Sequence, residues 1–330
     1  MRGVAAIGLA AALLWGATVP VQAYLHLSAT VGGQVRPVAW GRMPVRWFAS
    51  DTAIAGTSAA DFQAAVNRAF GVWEAVPTAS ISFQFVGFTS AAPSDEDGLS
   101  VFGFESHPDE DRTLASTTFT VDTLTGEILE SDVFFNTAFQ WSASGAATAF
   151  DLQSIATHEI GHVLGLGHSA LGETELQAGG GRRVLATGSV MFPIAFGRGV
   201  TADRTLQPDD IAGVSDTYPD GSFRAGTGSL QGRVRIGGRA VFGAHVAAFN
   251  PRTGGLIGGF ALGREGEFVI AGLSPGVYVV RVEPLDDVAT DSFLDDPGID
   301  TNFRATLHDQ LIAVPAGGAS ASFDVTVQPK

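Results

Sequence analysis

The chain has 330 residues, 45% of them hydrophobic and 16% charged, with a formal net charge of −15 at pH 7. That balance suits a soluble globular protein of about two domains, and it leaves no basic face for a nucleic acid or an anionic membrane surface. Cysteine is absent, which excludes disulfides, thiol catalysis and cysteine-ligated zinc.

Residues 1–23 read as a secretory signal. Arg2 supplies the positive start, "GVAAIGLAAALLWGATV" the apolar stretch, and Val21-Gln22-Ala23 a small-residue cleavage site. The apolar run is short and glycine-containing for a membrane span, and no later segment is long enough to be one. The expected mature chain is therefore exported, extracellular or periplasmic, without stable membrane insertion.

"MPVRWFAS" (43–50) alternates like a strand. In "TSAADFQAAVNRAFGVWEAV" (57–76) the period changes: Phe62, Val66, Ala69, Phe70, Trp73 and Val76 fall on one helical face, with Ser58 to cap the start and Pro77 to stop it. Four short strands follow in "ISFQFVGF" (81–88), "LSVFGF" (99–104), "TLASTTFTV" (113–121) and "EILESDVFF" (127–135), separated by turn-forming residues. A second helix begins near Asp151 in "FDLQSIATHEIGHVLGL", and a long loop, flexible by composition at "AGGGRRVLATG", then runs to "SVMFP" (189–193). "QPDDIAGVSDTY" is a third helix, with Pro208 in its first turn and two aspartates at its positive end. "DGSFRAGTG" marks a linker at 220–227, and beyond it, over 228–330, short period-two runs predict a small all-β sandwich.

The chain places three of its seven histidines within "THEIGHVLGLGHS" (157–169). On a helix, residues four apart share a face, so His158 and His162 can offer two nitrogens to one ion with Glu159 beside it. His168 lies too far along a straight helix to join them. Gly165 can take the positive φ that turns the chain back, which completes H-E-x-x-H-x-x-G-x-x-H. Three imidazoles with an open fourth position are what a catalytic zinc requires. His26, His245 and His308 stand alone in the sequence, without partners, and read as surface or satisfied core residues.

These residues resemble the metzincin zinc peptidases, and within them the matrixins. Met191 in "SVMFP" matches the metzincin Met-turn, with Phe192 where tyrosine is usual, and "LQPDDIAGVSDTYP" is similar to the matrixin C-terminal helix. The resemblance covers about residues 40–219. It implies an α+β catalytic domain over 24–219, with a five-stranded twisted sheet and three helices. It implies one catalytic zinc on His158, His162 and His168, Glu159 as general base, and Met191 as an apolar floor beneath the metal. It further implies an edge strand at Leu114 and Ala115 that pairs with an extended peptide, and a pocket wall from Phe192 and Pro193. The activity implied is that of a secreted zinc endopeptidase acting on protein or peptide as a monomer. The rival reading is an adhesion or matrix-binding protein in which the sandwich carries the main role.

In animal matrixins a second zinc is structural. His107 and Asp109 in "SHPDEDRTLASTTF" match its segment, but Ser116 and Phe134 stand where further histidines are expected, so that ion is predicted lost. The cysteine switch of matrixin pro-segments has no cysteine to use. Asp95, Asp97, Asp109, Asp111, Glu130 and Asp132 offer hard oxygen ligands that leave calcium open, as does the acidic run 286–300. The stretch "GEFVIAGLSPGVYVVRVEP" resembles prealbumin-like and carboxypeptidase-regulatory sandwich modules, with no catalytic constellation of its own.

Overall fold

The computed structural model describes residues 4–7, 24–31, 34–178, 182–286 and 297–330. Most of the predicted signal, Gly179–Gly181 of the predicted loop and most of the acidic run 286–300 lie outside the described residues. No helix among the described residues is long and apolar enough to cross a membrane.

The N-terminal half is built on one mixed sheet. Its strands are β1 (Val45–Ser50), β2 (Phe83–Thr89), β3 (Val101–Glu105), β4 (Ala115–Asp122) and β5 (Ile128–Asn136), in the spatial order β4-β5-β3-β1-β2. β1 runs parallel to β2 and β3, and β3 parallel to β5; β4 is antiparallel to β5. Val4–Ile7 pairs with Phe119–Asp122, the far end of β4, and among the described residues no strand pairs with the outer edge at Ala115–Thr118.

Helix α1 (Ala59–Glu74) starts where the Ser58 hydroxyl accepts the Asp61 N–H, and it buries Phe62, Ala65, Val66, Ala69, Phe70 and Trp73. Five of these belong to the stripe that the three- and four-residue spacing required, while Val76, buried too, lies past the helix end; the stripe packs Phe70 and Phe62 against Trp47, Phe102, Phe104 and Phe135 of the sheet. Truncating such a ring costs about 3–5 kcal/mol. Helix α2 (Leu152–Val163) lies on α1, and the Trp73 indole donates to the Thr157 carbonyl (2.9 Å) across the contact. Asp151 caps α2 by accepting the Ser154 N–H (2.8 Å) and is itself gripped by Arg204. Helix α3 (Pro208–Thr217) closes this half.

The expected long loop before the Met-turn is instead a hairpin of β6 (Gly172–Leu176) and β7 (Arg182–Thr187). Its side chains alternate across the pair, with Arg183 on Glu175 (2.6 Å) and Arg182 on the Thr174 hydroxyl (2.8 Å). Composition does not mark that pairing, because each face of the strands mixes polar with apolar side chains. The stretch expected to be a linker carries a helical turn, Phe223–Gly226, capped by Asp220 and anchored by the buried Phe223.

The C-terminal half has two sheets. β8 (Gly228–Ile236) pairs with β11 (Glu267–Leu273) and, in parallel, with β14 (Phe323–Val327). In the second sheet β9 (His245–Phe249) lies between the edge strand β10 (Leu256–Phe260) and β12 (Gly276–Glu283), and β12 also pairs with β13 (Ile312–Val314). Leu230, Val234, Phe268 and Val325 from the first sheet meet Val246, Ile257, Val280 and Val282 from the second in one core. Tyr24 and Ala212 belong to that core as well, so the N-terminal segment and α3 are packed into the C-terminal half.

Candidate metal centre

α2 carries His158 and His162 one turn apart, facing the cleft beside β4. The helix ends in a Schellman motif: Leu166 N–H donates to the Gly161 carbonyl (3.0 Å) and Gly165 N–H to the His162 carbonyl (2.7 Å), with Gly165 at φ +85°. A Cβ at Gly165 would stand 2.4 Å from the Val38 carbonyl oxygen, so both conformation and space demand glycine there. The turn swings His168 back as the spacing predicted, and the His162 Nε2 lies 3.1 Å from His158 Nε2 and 3.2 Å from His168 Nε2. His158, His162 and His168 are the only group of three or more ligating side chains that converges among the described residues.

These residues fit a zinc ion. Tetrahedral zinc at Zn–N of about 2.0–2.1 Å holds its nitrogens roughly 3.3–3.4 Å apart. The His158 Nδ1–H donates to the Val190 carbonyl (2.7 Å) and the His162 Nδ1–H to the Leu166 carbonyl (2.8 Å), which leaves both Nε2 lone pairs facing inward. Burial lowers the His158 pKa and takes that of His162 down to about 3, with His158 adding to the effect, so both rings stay neutral and ready to ligate. Lone pairs pointed at one another over such distances repel unless a cation lies among them.

Glu159 is 5% exposed, and its Oε2 accepts a 2.6 Å hydrogen bond from the Thr117 hydroxyl on β4. Burial raises its pKa to about 7 while the Thr117 bond opposes the rise, so the carboxyl titrates near neutral pH. No motif marks Thr117 in the sequence; two-residue alternation along β4 puts it on the same face as Ala115, which is the signal the sequence offers for it.

Below the histidines, Met191 lies against α2 where Gly161 has no side chain: a Cβ there would stand 2.2 Å from the Met191 sulfur. The Met-turn is held by Asp210 of α3, whose carboxylate accepts from Ser189 Oγ (2.5 Å), Val190 N (2.9 Å), Met191 N (3.3 Å) and Gln207 N (2.8 Å). The loop leading to His168 is supported from outside. Trp40 Nε1 donates to the Val163 carbonyl (2.8 Å), Tyr218 OH to that of Leu164 (3.0 Å), and Leu25 and Leu27 pair by backbone with Gly167 and Gly165. Those last carbonyls of α2 would otherwise lack donors.

The histidines and Glu159 open into a cavity of about 500 Å³. Leu114, Ala115, Phe192 and Pro193, the four residues expected to contact substrate, all line it, and Leu114 lies one residue ahead of β4 itself. Phe139, Phe150 and Ile155 make the cavity apolar toward α2, and Asp203 adds a carboxyl whose pKa burial, with nearby Asp210, raises to about 6.

The other candidates lie elsewhere. His107 stacks on Phe134 (4.0 Å between centroids), its nitrogens 3.0 Å from Glu105 and 3.5 Å from Glu110, while Ser116 pairs opposite Phe134 across β4 and β5. Asp109 and Asp111 are exposed. Carboxylates considered for calcium are bonded to backbone N–H groups: Asp95 to Ala92, Asp97 to Leu99, Glu130 to Asp97 and Gly98, and Asp132 to Val101. Two of the three lone histidines have carboxylate partners after all, brought by strand pairing and chain neighbourhood. His245, buried on β9, meets Glu283 on β12 at 3.0 Å, and His308 lies 3.8 Å from Asp309. His26 is buried, with Nδ1 3.3 Å from the Thr217 hydroxyl.

Residues 39–178 match the Matrixin family model (Peptidase_M10). Metalloendoproteinase 1 of Glycine max is 30% identical over 175 residues, 48% of this chain and 45% of its own length. Metalloendoproteinase 1-MMP of Arabidopsis thaliana is 41% identical over 70 residues, 21% of this chain and 15% of its own, and Metalloendoproteinase 5-MMP of the same plant is 35% identical over 88 residues, 26% and 19%. The matches thus span less than half the length of these relatives. A solved structure, the Bacillus anthracis TIE protein, superposes on 32% of this chain and 17% of its own at a TM-score of 0.22 and 14% identity, a likeness too slight to bear on the fold. Residues 39–178, which hold the three histidines and Glu159, are thus the part of the chain that matches the matrixin metallopeptidases.

Proposed function

We propose that this chain is an exported zinc endopeptidase. The observation that carries the reading is the convergence of three imidazole nitrogens, those of His158 and His168 lying 3.1 and 3.2 Å from His162 Nε2, beside a buried carboxylate, at the wall of an open cavity. His158, His162 and His168 would hold the ion. Bound zinc supplies a Lewis acid that polarises a carbonyl and lowers the pKa of water from about 16 toward roughly 7.

The remaining work belongs to the protein. Glu159 takes the proton of the attacking water and delivers it to the leaving amine. Thr117 holds one carboxylate oxygen and leaves the other for that transfer. An extended peptide adds to the free edge at Leu114–Thr117 through main-chain hydrogen bonds, and the side chain after the cut enters between Phe192, Pro193 and the apolar wall. Met191 carries no lone pair to the ion in this scheme; its thioether fills the space under it. The β-sandwich of the C-terminal half is an accessory module that stabilises the first half or docks it. Calcium has no assigned role.

The test is hydrolysis of a random peptide library by the parent and by Glu159→Ala, each with and without chelator. Cleavage by the parent alone, abolished by chelator, is expected; equal cleavage by both forms refutes the mechanism. Export is tested by N-terminal sequencing of secreted protein, which should begin at Tyr24.

A further inference from the structure

The loop that follows His168 is fastened to the C-terminal half through one side chain. Asp209, on the first turn of α3, is buried and divides its carboxylate between the two halves of the molecule. Its Oδ2 accepts from the Ser169 hydroxyl (2.8 Å), the residue next to His168. Its Oδ1 accepts from the backbone N–H of Gly258 (2.8 Å), in the middle of edge strand β10. A buried N–H on a sheet edge needs an acceptor, and a buried carboxylate needs donors. Each half supplies what the other lacks.

The surrounding packing is as close. A Cβ at Gly258 would stand 3.1 Å from Leu171 Cγ and 2.9 Å from His245 Nε2, and one at Gly188 3.3 Å from Leu256. Ser169 N–H donates to the Met191 carbonyl (2.9 Å), and Ser169 Oγ accepts from Leu171 N (3.3 Å). His168, Ser169, Asp209, His245 and Gly258 all line one cavity of only about 20 Å³, so little empty space is left where the two halves meet. The backbone beside His168 is therefore pinned on one side by the Met-turn and on the other by a carboxylate whose second oxygen is occupied by the C-terminal sheet.

We infer that Asp209 is a positioning residue through which the C-terminal half sets the geometry of His168, so that metal affinity depends on a strand that contributes no ligand. The inference rests on the zinc reading above. Partners that orient a metal ligand from outside typically contribute tenfold to a hundredfold to affinity.

The test uses the full chain and reads zinc affinity by competition with a chromophoric chelator, below the melting transition of each metal-free variant. Asp209→Leu is expected to weaken zinc tenfold to a hundredfold. Asp209→Asn, which keeps an acceptor for Gly258 and offers an amide to Ser169 Oγ, should stay within about threefold of the parent. Ser169→Ala and Gly258→Ala should each weaken zinc by about three- to tenfold, the latter through a substitution made in the C-terminal half alone that pushes on Leu171. Val277→Ala, exposed on β12, should change nothing. Should Asp209→Leu fail to fold, Ser169→Ala and Gly258→Ala carry the test. If His158→Ala abolishes binding while Asp209→Leu, Ser169→Ala and Gly258→Ala stay within twofold of the parent, the coupling is overturned and the metal site stands. If His158→Ala binds zinc like the parent, both fail.

Discussion

Asp210→Ala removes an acceptor on which four donors converge. Its carboxylate, 2% exposed, is bonded by Ser189 Oγ, Val190 N, Met191 N and Gln207 N at 2.5–3.3 Å, so the Met-turn and the start of α3 share one anchor. Each buried donor left without an acceptor costs about 1–3 kcal/mol, but the four share one network, so their costs do not add. With more than one of these neutral donors left unpaired, a loss of about 3–5 kcal/mol is expected, a large share of the roughly 5–15 kcal/mol that stabilises a domain. Asp210→Asn should lose only about 1–2 kcal/mol, because its oxygen can serve Val190 N and Gln207 N while its amide faces the Ser189 hydroxyl. Urea unfolding of the metal-free protein measures both without the added stability of bound zinc. An alanine variant within about 1 kcal/mol of the parent, or an asparagine variant as unstable as the alanine one, would refute the reasoning.

Asp132 is 5% exposed, and burial, with Glu130 and Asp97 nearby, raises its pKa to about 8. The native state then holds a proton that the unfolded chain has released above about pH 4, so stability falls as pH rises toward 8, by up to ~1.4 kcal/mol per unit. Asp132→Asn removes that slope: its stability relative to the parent should improve by about 1–3 kcal/mol between pH 5 and 7, and a constant difference would contradict it. Thr117→Val deprives Glu159 of the bond that lowers its pKa, so the acid limb of kcat/KM should move to higher pH, with roughly three- to tenfold less activity at pH 6 and little change at pH 8. Unequal loss at the two pH values is the signature; a uniform loss would count against it. Zinc at a hundred times its Kd should stabilise the protein by about 2.7 kcal/mol over the chelated form, read as a Tm that rises with zinc in the parent but not in His162→Ala.

The convergence of the three histidines was legible in the linear order of residues because they come from one helix and the turn that ends it. Helical periodicity relates His158 to His162, and a single glycine brings back His168, so no distant part of the chain is needed to predict their convergence. The stripe on α1 was legible for the same local reason. The hairpin at 172–187 was not, because strands without an apolar face carry no period that marks them. Thr117, Asp209 and Asp210 were equally silent: an aspartate at a helix start reads as a cap, and nothing local says which distant N–H it will meet.

What the sequence by itself determined is therefore the set of groups whose geometry follows from short-range backbone rules: the convergence of His158, His162 and His168, the φ of Gly165, the amphipathic face of α1 and the alternation of the C-terminal strands. Only the tertiary structure decided which carboxylates are buried and whom they serve. Burial and partner choice depend on contacts between segments far apart in the chain, such as Gly258 on Asp209 or Thr117 on Glu159, and desolvation there is what moves Glu159 to about 7.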